Sequence, residues 1–411
     1  MPNQRETHMK RNAVVLAVVL LGIMILIGAQ AIAVAQPNQP KAGTARPFGP
    51  AFTAAQSSAR APVLNAMPQE QDVRYTVTQV GVLPGYESSY LPILGSINNG
   101  GFVAGYSYNG PTSSIDFYLT SSAFIGDYRG VTRLPTPRKY AGAFGFGLND
   151  KNQVFGFANK LDKHGNLIQS PVVWDQYGNP TLLENLTTPY YDAYAMNNNG
   201  DVVGDTCLDP DCAVVVPVYW HRGRIAQLPI PDGAVYGLAT AINDLGVIVG
   251  QVDYGDMPPV GTGEFHMYAW IPRGGRYVGV DLGDNSALYV EANAINNLGQ
   301  IAGGMWDGAS DRAFLWTFGR LKDLGTLPGG SGSWAWAGLN IWGQVLGQSD
   351  DAAVVWQGDT IIDLNDVVPS GTPQLVTPGG INDVGQIAVT SWPPDGTSLS
   401  FILTPVADDS H

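Results

Sequence analysis

The side chains in this sequence that could do chemistry are few and scattered. It has five histidines: His8 and His411 lie near the ends, and His164, His221 and His266 are far from one another. No H-E-x-x-H or comparable ligand spacing occurs. A nucleophile elbow, G-x-S-x-G, is absent, because GGSGS at Gly329 has its glycines displaced, and no Walker-type lysine loop exists. The two cysteines, Cys207 and Cys212, stand in C-L-D-P-D-C without a histidine nearby. That is a poor zinc site but a good disulfide, with Asp-Pro-Asp as its turn and an oxidising compartment as its condition. Thirty-five Asp and Glu remain as candidate acids and bases. Whether two of them form a catalytic pair depends on their separation in space, which sequence does not give.

The other candidates are aromatic residues beside carboxylates. Tyr106, Tyr108, Asp116 and Tyr118 fall in YSYNGPTSSIDFYLTSS, Asp253 and Tyr254 in QVDYGDMPPVGTGEFHM, and Trp306 and Asp307 in GMWDGASDR. Aromatic faces next to acids suit a glycan, a peptide or a cation. The structural alternative is that Asn159, Asp253, Asp307 and Asp350 cap turns, since each lies a few residues beyond a recurring glycine.

That recurring glycine belongs to a phrase that sets the architecture. INNGGFVAG, LNDKNQVFG, MNNNGDVVG, INDLGVIVG, INNLGQIAG, LNIWGQVLG and INDVGQIAV place an asparagine at 98, 149, 197, 243, 296, 340 and 382. The separations of 42 to 53 residues fit four-stranded propeller blades. In each phrase an apolar strand ends, Asn-Asn/Asp-x-Gly turns the chain through residues that tolerate positive φ, and a second apolar strand returns. Calcium binding by these turns is unattractive, because each has too few oxygen ligands. A second phrase ends in Trp174, Trp220, Trp270, Trp316 or Trp356, with Phe124 and Phe401 in the outermost repeats. An aromatic at a fixed register in every repeat reads as core between blades rather than a sugar platform.

The best copy, DRAFLWTFGRLKDLGTLPGGSGSWAWAGLNIWGQVLG, resembles the bacterial extracellular HAF repeat family. Arg312 stands where that family's histidine would, and His266 in FHMYAW is a looser echo. The resemblance runs from residue 75 to about 404. It implies an extracellular repeat protein and supplies no catalytic residues.

The expected fold is therefore all-β, a seven-bladed β-propeller of four-stranded blades. Its last blade is completed by the N-terminal strand, Tyr75 to Leu83, because YTVTQVGVLPG matches a fourth strand and the chain ends on a third. Such a join removes open sheet edges. Insertions fall between second and third strands, on the face shared with the blade-to-blade connections, so that face is the variable one.

Ahead of the repeats, Arg5, Lys10 and Arg11 precede the apolar run Ala13–Ile27, and Ala33-Val34-Ala35 ends it as a small-residue cleavage site. Residues 1–35 read as a signal peptide or, uncleaved, as a membrane anchor spanning 13–35. Residues 36–72 form an Ala/Pro/Gln-rich disordered linker, 73–405 the propeller and 406–411 an acidic tail. From Val73 onward 15 Lys and Arg face 32 Asp and Glu, or −17, a field that repels nucleic acid and anionic lipid.

Two functions are compatible with this layout, with no cofactor or metal implied. The first is a monomeric, secreted or tethered binding module that engages a glycan, peptide or protein through its loop-rich face. The alternative is a propeller hydrolase or lyase acting on extracellular carbohydrate. An enzyme is expected to cluster buried Asp, Glu or His with displaced pKa values, and a binder to show an open aromatic patch instead.

Overall fold

The computed structural model describes residues 73–406 except 94, 187–190, 210, 211, 213, 235, 255–264 and 284–286. The signal or anchor segment, the linker and most of the acidic tail lie outside the described residues. Among the described residues, no helix is long and apolar enough to cross a membrane.

Each repeat folds as an antiparallel meander of four strands. The third repeat is representative: its strands are Tyr191–Met196, Val202–Cys207, Val215–His221 and Arg224–Gln227, paired in that order. Five such sheets stand alone. Two more, from the third and fourth repeats, merge into an eight-stranded sheet through one parallel pair, Val215 with Tyr236. In the last sheet the fourth strand comes from the chain's beginning: Tyr75–Gln79 pairs antiparallel with Leu399–Pro405. One element was not expected from the sequence. Ile115–Thr120, in the first variable loop, forms a short helix whose N-terminus is capped by Ser114.

The sheets are fastened by the residues that repeat. Every repeat asparagine is buried, at 2% to 6% exposure. Its Oδ1 accepts the backbone N–H groups two and four residues on, as in Asn98 with Gly100 and Phe102 at 3.0 Å each. Its Nδ2 donates to the carbonyl of the next repeat's asparagine. These bonds run 98 to 149, 149 to 197, 197 to 243, 243 to 296, 296 to 340, 340 to 382 and 382 back to 98, all at 2.8–3.1 Å. A closed cycle of seven hydrogen bonds results, the arrangement of a β-propeller.

This refines the reading of the turn. Positive φ falls on its fourth residue, Gly343 at 80° and Gly299 at 77° for example, and once on Asn152 at 59°. The leading asparagine is needed for a different reason. Its amide both accepts and donates, which neither Asp nor Ser can do with the same reach.

The tryptophans behave as core. Trp174, Trp220, Trp270, Trp316 and Trp356 are at most 2% exposed. Four donate their indole N–H to the connection leaving the preceding sheet, to the carbonyls of Pro135, Glu184, Pro229 and Gly325 at 2.7–3.3 Å. Each fills the gap between sheets with apolar area while its one polar atom is satisfied.

Candidate functional site

The first strand of each meander lies nearest the ring of asparagines and carries the chain from the loop-rich face toward the turn face. Five of the seven are aliphatic, aromatic or small throughout. The other two carry acids: Asp192 in Tyr191–Met196 and Glu291 in Tyr289–Ile295. Both sit five residues before the repeat asparagine, where Phe144 and Leu238 stand in the second and fourth repeats. Both therefore lie toward the loop-rich end.

Local backbone features of the repeat place them. Each acid precedes a β-bulge, between Ala193 and Ala195 or between Ala292 and Ala294. The recurring glycine of the second strand packs on the acid's own carbonyl: a Cβ on Gly204 would collide with Asp192 O, and one on Gly303 with Glu291 O. The same bulge and glycine contact follow Phe144 and Leu238 in the second and fourth repeats, so they belong to the repeat and set the register the acids occupy. Next to Gly204, Asp205 pairs directly across the strands with Asp192, which puts two carboxylates on one face.

The carboxylates are shifted strongly upward. Burial raises Asp192 to about 6. Burial also raises Asp205 well above the ordinary range, with the Asp192 charge adding to it and the Tyr194 hydroxyl opposing. Two close acids cannot both ionise cheaply, so the pair retains a proton near neutrality. Burial raises Glu291 to about 7, against donation from the Asn293 and Tyr289 side chains. Tyr194, Tyr236 and Tyr289 are raised as well by burial, then by these acids: Asp205 and Asp192 act on Tyr194, Asp205 first on Tyr236, and Glu291 on Tyr289. These mutual fields mark Asp192, Tyr194, Asp205, Tyr236, Tyr289 and Glu291 as one cluster spanning the third, fourth and fifth repeats. Its first-strand members all retain some accessible surface.

The cluster's polar groups are incompletely satisfied. Asp205, 6% exposed, has an Oδ2 with no hydrogen-bond partner. Gln251, 2% exposed, donates from Nε2 to the Tyr289 hydroxyl at 3.3 Å, and its Oε1 has no partner. Such buried vacancies are rare in finished cores and call for an explanation. Tyr289 in turn stacks at a tilt on Trp334 of the sixth repeat, 6.2 Å between ring centroids.

The residues singled out from sequence are placed mostly elsewhere. Tyr106, Tyr108 and Tyr118 pack with Phe117 and Phe144 in a closed aromatic group, for example Tyr106 on Phe144 at 4.6 Å. Tyr108 is buried, its hydroxyl 2.8 Å from Ser398 Oγ of the last repeat. Asp116 is exposed on the short helix. Trp306 is exposed, and Asp307 beside it caps a turn, accepting from the Ala309 and Ser310 N–H groups at 2.9 and 3.0 Å. Tyr254 donates to Asp281 at 3.2 Å, and that carboxylate also meets His266 Nδ1 at 2.8 Å. Asp253 alone among these residues borders the acid cluster: it is buried and pairs across the strands with Tyr236. The disulfide Cys207–Cys212 forms, two residues beyond Asp205, and Cys207 packs with Val215 and Leu238.

Sequence reading missed Asp192, Asp205 and Glu291. The usable signal was positional: an acid five residues before the repeat asparagine, on a strand otherwise apolar.

No family model matches the chain, and no curated protein matches it in sequence. Many solved structures are similar to it in fold. One is a puromycin-hydrolyzing peptidase of Mycobacterium tuberculosis, with a TM-score of 0.50, 11% identity, and coverage of 80% of this chain and 55% of that one. The polysaccharide lyase Uly1 is matched with a TM-score of 0.42 at 9% identity, over 86% of this chain and 95% of that one. A Trypanosoma rangeli sialidase is matched at 0.39 and 11%, over 80% and 57%. At such identities the likeness is one of fold.

Proposed function

We propose that this chain is a secreted, seven-bladed β-propeller enzyme of the HAF repeat type, a hydrolase or lyase that acts on extracellular carbohydrate. The cluster of Asp192, Asp205 and Glu291 carries the reading. Carboxylates with raised pKa values, on the first two strands of the third repeat and the first strand of the fifth, are what acid–base catalysis needs and what a passive binding face does not. The cycle of seven asparagine bonds supports the blade count.

The roles follow from the electrostatics. The Asp192–Asp205 pair keeps one proton near neutrality and donates it to the glycosidic oxygen as the bond breaks. Glu291, raised to about 7, is poised near the working pH to accept a proton from water or from a sugar carbon. Tyr289, with Trp334 against it, offers an aromatic face for a sugar ring.

The test is to incubate the mature chain with a panel of extracellular polysaccharides. Reducing ends report cleavage, and ultraviolet absorbance of a new double bond separates elimination from hydrolysis. Cleavage is expected for the wild type and loss of at least about a hundredfold for Glu291→Gln and Asp205→Asn. Absence of cleavage on every polysaccharide, with the fold intact, would remove the enzyme reading and leave the binding module.

A further inference from the structure

The charge that the acid cluster does not contain narrows what it binds. The first strands of the seven repeats, Ser88–Tyr90, Gly142–Leu148, Tyr191–Met196, Tyr236–Ile242, Tyr289–Ile295, Ser333–Leu339 and Leu375–Ile381, hold no Lys, Arg or His. The second strands hold one, Lys160, whose ammonium lies 4.5 Å above the Tyr140 ring in the second repeat. No cation figures among the causes that displace Asp192, Asp205 or Glu291. A uronate or sialate brought here would meet these acids with no counter-charge, which strongly disfavours its binding.

The unfilled valences have the same polarity. Asp205 Oδ2 and Gln251 Oε1 are both acceptors, both at least nine-tenths buried, and neither has a donor. Gln251 is the more informative, because it is neutral and outside the acid pair. Its amide is already fixed in the cluster by the bond to Tyr289. The site leaves two buried acceptors unmet, holds no positive charge, and is walled by tyrosine rings. That is the complement of an ammonium group, which brings three donors, one charge and affinity for aromatic faces. A metal ion would answer the charge but not the arrangement. Among the described residues, no three Asp, Glu, His or Cys side chains converge as a metal site requires.

We infer that the site takes a cationic carbohydrate, a saccharide with free amino groups, whose ammonium groups donate to the Asp192–Asp205 pair and to Gln251. The inference rests on the carbohydrate reading above and names its substrate class. It also makes hydrolysis the reaction, since elimination from a uronate needs a cation to neutralise the acid group. Bringing an ammonium to the cluster favours the ionised carboxylates, so binding drives about one proton off the cluster and leaves the other on the acid pair. The other titratable groups facing them are Asp253, which pairs across the strands with Tyr236, and Tyr194, Tyr236 and Tyr289, which burial holds neutral.

The experiment is calorimetry on the mature chain at pH 6 with three probes: a glucosamine oligosaccharide, its N-acetylated counterpart and an oligogalacturonate. The glucosamine oligomer is expected to bind at least about tenfold tighter than the N-acetylated one, with binding weakened by added salt and no binding of the uronate. About one proton should be released, read from the dependence of the enthalpy on buffer. Gln251→Leu should weaken binding about tenfold and Gln251→Glu should restore it, with thermal melts confirming that both variants fold. Equal or tighter binding of the N-acetylated or uronate probe, displacement of the amine by calcium ions, or no binding of any probe would overturn the inference. Reducing-end release is scored separately. Amine binding without cleavage would remove the enzyme reading and keep this one, whereas cleavage of only uronate or N-acetylated chains would do the reverse.

Discussion

Asn382 Nδ2 donates to the carbonyl of Asn98 at 2.8 Å, across 284 positions of sequence, and this bond closes the cycle that the other six repeat asparagines build. Asn382 Oδ1 meanwhile accepts from the N–H groups of Val384 and Gln386, at 3.2 and 2.8 Å. Asn382→Ala leaves buried backbone groups on both sides without partners and is expected to cost about 2–4 kcal/mol in urea unfolding. Asn382→Asp keeps the acceptor, loses the donor and buries a charge, so it should cost at least as much at pH 7 and recover on acidification. A loss below about 0.5 kcal/mol for both variants would mean that the cycle does not hold the repeats together.

A second row of residues, one position further on, makes a sharper electrostatic test. Its members are Asn99, Asp150, Asn198, Asp244, Asn297, Ile341 and Asp383. Amide and carboxylate alternate, so that Asn198 Nδ2 serves Asp150 at 2.9 Å and Asp244 at 3.0 Å. Seven positions cannot alternate perfectly, and Ile341 occupies the one that breaks the pattern. Asn198→Asp would set three carboxylates in a row and remove both donors. It should cost about 1–3 kcal/mol at low salt, and added salt should return part of that loss because the site is partly solvated. Salt-independent destabilisation would contradict the charge argument.

What sequence made legible follows from what repeats. Seven turns of one pattern at blade-length spacing imply blades, a tryptophan at fixed register implies core, and a terminal fragment matching a fourth strand implies closure by Tyr75–Gln79. All three are local patterns set by backbone geometry and apolar burial. The acid cluster is not of that kind. Asp192 and Asp205 are 13 positions apart and meet only because a hairpin pairs them, while Glu291 comes from two repeats away. The aromatics of the long loops misdirected attention for a related reason. Tyr106 and Tyr118 satisfy their apolar area against Phe117 and Phe144, a partnership that depends on how the helix Ile115–Thr120 folds back.

Gly204 links stability to the site. A Cβ there would overlap the Asp192 carbonyl oxygen and lie 3.1 Å from Ala193 Cα, both parts of a backbone that cannot rotate away. Gly204→Ala should force the first two strands apart at the bulge, cost about 2–4 kcal/mol and displace Asp192 from Asp205, so that activity falls more than stability alone explains. Gly233→Ala is the control. With φ at 89° and no atom near its would-be Cβ, it should cost about 1 kcal/mol and leave activity intact.

Glu291→Gln should separate function from stability most cleanly. The folded protein holds Glu291 at about 7, well above an exposed glutamate, so it binds the proton more tightly than the unfolded chain does. The stability associated with that proton is fully present below the unfolded value near pH 4 and is lost as pH rises through about 7. Asp192, raised to about 6, acts in the same direction over a lower window. Wild-type melting temperature should therefore fall between pH 5 and pH 8. Glutamine mimics the protonated acid at every pH, so Glu291→Gln should match the wild type near pH 5 and exceed it at pH 8 by on the order of 1–3 kcal/mol. The lower end is more realistic, because the side chain keeps some accessible surface. Cleavage should be lost over the whole range. A variant both more stable in alkali and inactive identifies Glu291 as held at a structural cost for its chemistry, whereas one destabilised at pH 8 would show that the carboxylate serves the fold.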